Sequence, residues 1–210
     1  MNLDLVIEGG LVYDGTGADP APLDVGIVGD RIAALGVLAD ATARERLAAE
    51  GRIVCPGFID AHSHSDINLL LDPGAPGKIA QGITTEVIGN CGASAAPRFG
   101  HRRLPLDWEA LPLHQRWRSM ADYLRMLEDG QPAVNVVALV GHNALRGCVA
   151  GYDGRPLTVE QTASLLRAAE TALDEGAAGI SFGLAYSPGM FAPPEELRAV
   201  AAVAARRDAV

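Results

Sequence analysis

The stretch Pro56-Gly57-Phe58-Ile59-Asp60-Ala61-His62-Ser63-His64 decides how this chain is read. It is an apolar run, launched after Pro-Gly, that ends in two histidines two residues apart. Side chains at i and i+2 of a strand share a face, so the run predicts a buried strand that delivers both imidazoles to one point. Imidazole nitrogen suits zinc and its neighbours, which it holds at ~2.0–2.1 Å. The plainer alternative is two polar residues at a strand end, and the setting after Pro-Gly favours the metal. Asp60 shares the same face one pleat deeper. It is too far back to ligate and is read either as orienting a ring through a hydrogen bond or, preferably, as structural support.

Outward from that strand, the pattern is one of strands alternating with helices. A short helical stretch around residues 77–81 leads to a strand over Thr84–Ile88 and then to an irregular, Pro-, Arg- and Gly-rich segment from Asn90 to Trp117. Ser119, with Asp122 three residues on, opens a helix whose Met120, Tyr123, Leu124 and Leu127 share a face and which Gly130 closes. A strand over Ala133–Val140 follows, then a loop to Thr158, which caps a helix with Gln161 at its third position and Gly176 at its end. A strand over Ala178–Phe182, a Pro-rich loop and a helix over Pro194–Arg207 complete the pattern, and a fifth strand is expected from Asp208.

This alternation predicts an α/β fold with a parallel sheet. Four βα units amount to the first half of a TIM-type (β/α)8 barrel, which takes ~250 residues when complete. Ahead of it, residues 3–36 read as short strands separated by Gly9-Gly10, Asp14-Gly15 and Gly29-Asp30, which are hairpin signals. The expected organisation is a small antiparallel β unit over residues 1–54 and a half-barrel over 55–210, apparently truncated.

Barrel chemistry sits at the C-terminal ends of the strands. Past the second strand, Gly89-Asn90-Cys91-Gly92 sets a cysteine among glycines, where a thiolate is placed to ligate the same metal as His62 and His64. The alternative is a small buried residue, the usual role of free cysteine. His142 ends the third strand and is read either as a contact to substrate or metal or as a loop histidine satisfied by backbone. Tyr186 follows the fourth strand and either offers its hydroxyl to a substrate or packs on Pro188. Glu86 lies in a strand that should be buried and needs a partner there. Cys55, Cys148, His101 and His114 receive no role.

Composition excludes several classes. The 210 residues are 49% hydrophobic and 20% charged, which is ordinary globular composition. A net charge of −9 without a basic run argues against nucleic acid or an anionic membrane surface as partner. Three scattered cysteines are no disulfide framework, the first residues are acidic where a signal peptide is basic, and no run reaches the ~20 apolar residues of a membrane span. A cytoplasmic protein is expected.

Three further stretches narrow the reading: Gln81 through Gly92, Val140 through Arg146, and Gly176 through Gly189. Together with Pro56 through Asp66, they resemble the amidohydrolase superfamily and, within it, the N-acyl-D-amino-acid deacylases, or D-aminoacylases. The resemblance runs through essentially the whole chain. It implies zinc held by His62, His64, Cys91 and two histidines of later strands, with a proton-handling aspartate that also lies beyond residue 210. It implies an activity too: zinc-assisted hydrolysis of an N-acyl-D-amino acid to a carboxylate and a D-amino acid. The enzyme alternative is a cyclic amidase of the dihydroorotase or hydantoinase kind. Those use a carboxylated lysine at the end of the fourth strand, whereas the only lysine here is Lys78, on the first helix. A third reading is an inactive fragment that needs its missing half.

Overall fold

The computed structural model describes residues 2–109 and 117–210. The chain divides into two compact units, Met1–Gly57 and Phe58–Val210.

The first unit is a five-stranded sheet built from β1 (Asn2–Val12), β2 (Ala21–Val28), β3 (Arg31–Gly36), β4 (Thr42–Ala48) and β5 (Ile53–Val54). Its path is β3-β2-β1-β4, with β5 also paired to β1. The β1–β2 and β2–β3 pairs are antiparallel, as their turn residues require. Both β4 and β5 join β1 in parallel, so the unit is mixed rather than purely antiparallel. Strand β4, Thr-Ala-Arg-Glu-Arg-Leu-Ala, is almost wholly exposed and carries no apolar alternation that would mark it in the sequence. Gly9-Gly10 turns out to be a bulge within one long strand, where the register with β2 shifts, and not a hairpin turn.

The second unit carries a parallel four-stranded sheet in chain order: β6 (Phe58–Asp60), β7 (Ile83–Ile88), β8 (Asn135–Gly141) and β9 (Gly179–Ser181). Helices α1 (Asn68–Leu71), α2 (Pro76–Ile79), α3 (Leu106–Glu109), α4 (Met120–Gly130), α5 (His142–Ala150), α6 (Val159–Asp174) and α7 (Pro194–Ala205) occupy the connections. Two of them start as their sequences dictate. Ser119 and Asp122 close a reciprocal capping box on α4, and Thr158 and Gln161 close another on α6. Helix α4 buries Met120, Tyr123 and Leu127, each worth about 1.5–3 kcal/mol of apolar burial. They join one core with Ile88, Val140, Leu145, Leu165 and Val200 from the strands and helices around them.

Where a loop from the third strand to Thr158 was expected, the chain forms α5. This helix starts without a side-chain cap and buries seven consecutive residues, His142 through Cys148, so it presents no apolar stripe against a polar face. At the other end of the unit, Ile180 N donates to Val210 O at 2.8 Å and Val210 N donates to Ala178 O at 3.3 Å. Val210 is therefore paired along β9, where a fifth strand was expected to begin. Among the described residues, no helix is long and apolar enough to cross a membrane.

Candidate metal centre

Strand β6 ends at Asp60 and the chain bends at Ala61 and His62, after which Ser63 N donates to Val87 O of β7 at 3.0 Å. Ser63 points inward and is buried, while His62 and His64 project from the opposite face into the open. Their rings meet edge to face with centroids 5.5 Å apart. His62 Nε2 is 3.2 Å from Cys91 Sγ, and the three ligand atoms of His62, His64 and Cys91 all lie within 4.8 Å of one another. Ligands of one tetrahedral ion held at ~2.0–2.3 Å are separated by distances of this order, and two imidazoles with a thiolate are a donor set zinc accepts. The residues present fit a metal ion.

Cys91 reaches this point through a tight turn, residues 89–92, laid across the ends of the neighbouring strands. Its own φ is +55°, in the left-handed region, which costs a non-glycine residue on the order of 1–3 kcal/mol and persists only where the surroundings enforce it. Several contacts do so. Ala144 N of α5 donates to Gly92 O at 3.0 Å. The buried carboxylate of Asp66 accepts from Gly89 N at 3.3 Å and Ala95 N at 3.1 Å; burial pushes its pKa above the ordinary carboxylate value, against the lowering effect of these amides. Ser181 Oγ accepts from Gly92 N at 3.0 Å and donates to Gly89 O.

The crossing is possible only because two facing residues lack side chains. A Cβ on Gly141 would lie 2.0 Å from Gly92 O, and one on Gly183 would lie 1.8 Å from Cys91 O. Gly141→Ala is therefore expected to destabilise the chain by about 3 kcal/mol, at the upper end of the usual overpacking range, because backbone and not a flexible side chain must move. Gly77→Ala, with nothing within 4 Å of the new carbon, is the control. Urea midpoints with unchanged slopes measure both, and equal midpoints would contradict the crossing.

Asp60 does not orient a ring. Its Oδ1 accepts from the backbone N of His62 at 3.2 Å and its Oδ2 pairs with Lys78 Nζ at 2.5 Å, because the ammonium is the stronger partner within reach. The Lys78 hydrogen bond, followed by that of His62 N, holds the Asp60 carboxyl below the usual carboxylate range. Lys78 also lies 3.2 Å from Glu86, and Ser63 Oγ donates to Glu86 at 2.7 Å. Burial works against the Lys78 ammonium, but Asp60 and Glu86 outweigh it and keep its pKa above the ordinary lysine value. The partner that Glu86 requires is thus the chain's one lysine, and the cluster braces the histidine segment from its inner face.

His142 is not at the mouth. It opens α5 fully buried, with Nε2 2.9 Å from Glu196 Oε1 and its ring tilted against Phe182 at 5.2 Å. The same Glu196 oxygen accepts from Arg146 Nε at 3.0 Å, so a carboxylate from α7 has captured both groups. Tyr186 is brought to the site: with His64 and Cys91 it lines an open cavity of about 1220 Å³, its side chain largely exposed. Asn143, which sequence reasoning missed, lines the same cavity and donates from Nδ2 to Gly183 O at 3.0 Å and Tyr186 O at 3.2 Å. His101 also lines it. Cys55 is exposed, Cys148 is a buried thiol whose pKa burial raises, and His114 lies outside the described residues.

Known proteins resemble this chain in sequence and fold. Residues 45–209 match the sequence pattern of the Amidohydrolase family. The chain is 46% identical to an N-acyl-D-glutamate deacylase and 42% identical to a D-aminoacylase, both of Alcaligenes xylosoxydans xylosoxydans, over 99% and 92% of its own length. It covers 43% and 40% of theirs. Its structure superposes on that of a D-aminoacylase with a binuclear metal centre at a TM-score of 0.91 and 40% identity, covering 99% of this chain and 44% of that one. It superposes on an N-acyl-D-glutamate deacylase from Bordetella bronchiseptica, complexed with zinc and a phosphonate inhibitor, at 0.88 and 40% identity, covering 100% and 44%. The sequence therefore spans less than half the length of these relatives, and across that span the four-stranded parallel sheet and the helices between its strands are those of their barrel. The chain belongs to the amidohydrolase family.

Proposed function

We infer that this chain forms the metal-binding front half of a zinc-dependent hydrolase that cleaves the amide bond of N-acyl-D-amino acids, giving a carboxylate and a D-amino acid. The convergence of His62, His64 and Cys91 within 4.8 Å at the strand ends carries the reading. The identity to N-acyl-D-glutamate deacylase and D-aminoacylase supports the substrate class. Zinc held at these residues supplies Lewis acidity toward the amide carbonyl and lowers the pKa of a water. The chain's own residues have simpler tasks. The two imidazoles offer neutral nitrogen, and the Cys91 thiolate offsets one positive charge. Tyr186 presents a phenol hydroxyl across the cavity to a polar group of the substrate. Lys78 is held by Asp60 and Glu86 on the inner face of the histidine segment, and β9 carries no lysine, so the bridging group of a cyclic amidase is not supplied at the fourth strand. Three unpaired cysteines suit a reducing compartment, in keeping with a cytoplasmic enzyme.

The test compares the 210 residues with the same chain continued through the remaining barrel strands, on N-acetyl-D-methionine, N-acetyl-D-glutamate and their L enantiomers at fixed zinc. The continued chain is expected to be D-selective. The shorter chain is expected to fall at least ~10²–10⁴-fold below it, the usual weight of a missing acid–base group. D-selective turnover by the 210 residues alone would overturn the half-site, and a continued chain that opened dihydropyrimidines instead would overturn the substrate class.

A further inference from the structure

We propose that Ser181 is a positioning residue for the Cys91 sulfur, a latch at the end of β9 that holds the thiolate where His62 and His64 meet it. The proposal rests on the reading of those three residues as a metal centre. Four observations lead to it. Cys91 stands at φ +55°, a conformation its own side chain does not favour. The residues that bracket its turn, Gly89 and Gly92, are tied together by one hydroxyl: Ser181 Oγ gives its proton to Gly89 O and accepts from Gly92 N at 3.0 Å. A serine hydroxyl has one proton and two lone pairs, so both bonds are compatible in one orientation. Finally, the latch comes from two strands away. Ser181 pairs in register with Gly141 of β8, and the missing side chain at Gly141 is what lets the turn pass over β8 to reach it.

Cys91 is thereby fixed without any contact between Ser181 and its sulfur. Without the hydroxyl, Gly92 N and Gly89 O lose their shared partner and the strained turn is free to relax. The sulfur then leaves the point 3.2 Å from His62 Nε2. Partners that orient a ligand in this way are worth about 10–100-fold in metal affinity.

The experiment uses the whole chain and cadmium, whose thiolate charge-transfer absorption in the near ultraviolet reports the metal–sulfur bond directly. Titrations are run on the parent, Ser181→Ala, Ser181→Thr and Cys91→Ala. Hydrogen exchange over residues 87–95 is followed on the metal-free proteins, and thermal melts establish that each variant is folded. The expected result is a band in the parent that Cys91→Ala abolishes, cadmium affinity reduced at least tenfold in Ser181→Ala, affinity restored by the hydroxyl of Ser181→Thr, and faster exchange at the Gly92 amide in Ser181→Ala. A folded Ser181→Ala that binds cadmium as the parent does would overturn the latch and leave the metal centre standing. A parent with no Cys91-dependent band would sink the metal centre, and the latch with it. If Ser181→Thr stays as weak as Ser181→Ala while folded, the hydroxyl is not the agent and the proposal fails.

Discussion

Removing Cys91 is expected to lower the chain's zinc affinity more than a hundredfold, beyond the ~10–100-fold that losing an orienting partner costs. The sulfur is the one donor here that is not an imidazole and the one that carries charge to the ion. His62→Ala and His64→Ala are expected to act in the same direction. Cys55→Ala, at an exposed position that is not one of the three converging residues, should leave the affinity unchanged. Competition with a chromophoric chelator measures all four. A Cys91→Ala variant that retained the parent's affinity would show that the three groups, though close, do not act on one ion.

The second large effect is on stability. Glu196→Ala should destabilise the chain by about 3–5 kcal/mol, because it leaves Arg146 and His142, both fully buried, without their shared carboxylate. That is a large share of the about 5–15 kcal/mol that holds a domain together. Among the described residues Arg146 Nη1 has no hydrogen-bond partner, and its Nη2 is already committed to Arg155 O at 2.9 Å. Glu196→Gln, which keeps one oxygen in place, should cost less. Urea unfolding measures both, and a loss below about 1 kcal/mol for the alanine variant would mean that the buried charges find other partners. Arg155 lines the cavity beside Tyr152, so a partly unfolded α7 should also loosen that wall.

His62, His64 and Cys91 were legible as candidates because strand alternation and glycine punctuation are local signals, and the same holds for the capping residues Ser119 and Thr158. His142 was placed on the right element but given the wrong partner, and Asp60, whose preferred reading was structural support, was not matched to the lysine it meets. A strand pattern shows which face a side chain takes. It does not show that Lys78, 18 residues away, or Glu196, 54 residues away, will arrive there first. Helix α5 was invisible for a different reason: it is buried on every side and opens on Gly-His-Asn with no capping hydroxyl, so neither periodicity nor start signal marks it. Asn143 and Ser181 are single small polar residues in apolar company. The one available hint was that a polar side chain in β8–α5 or β9 must bond something, and the partners lie far along the chain: Gly183 and Tyr186 for Asn143, the 89–92 turn for Ser181.

The crossing of that turn also bears on when the site comes into being. Cys91 lies 29 residues from His62, close enough in the chain for the first βα unit to bring them near one another. The turn that aims the sulfur, however, is closed by Ser181, whose bonds to Gly92 and Gly89 span 89 and 92 residues. Such distant closures form late, after the intervening loop entropy has been overcome. During synthesis, or in refolding from denaturant, the nascent chain should show helix α4 and a collapsed core well before it can capture a metal tightly. Metal capture is therefore a reporter of the docking of the fourth strand, and a metal offered early would meet two histidines and a cysteine not yet held in place.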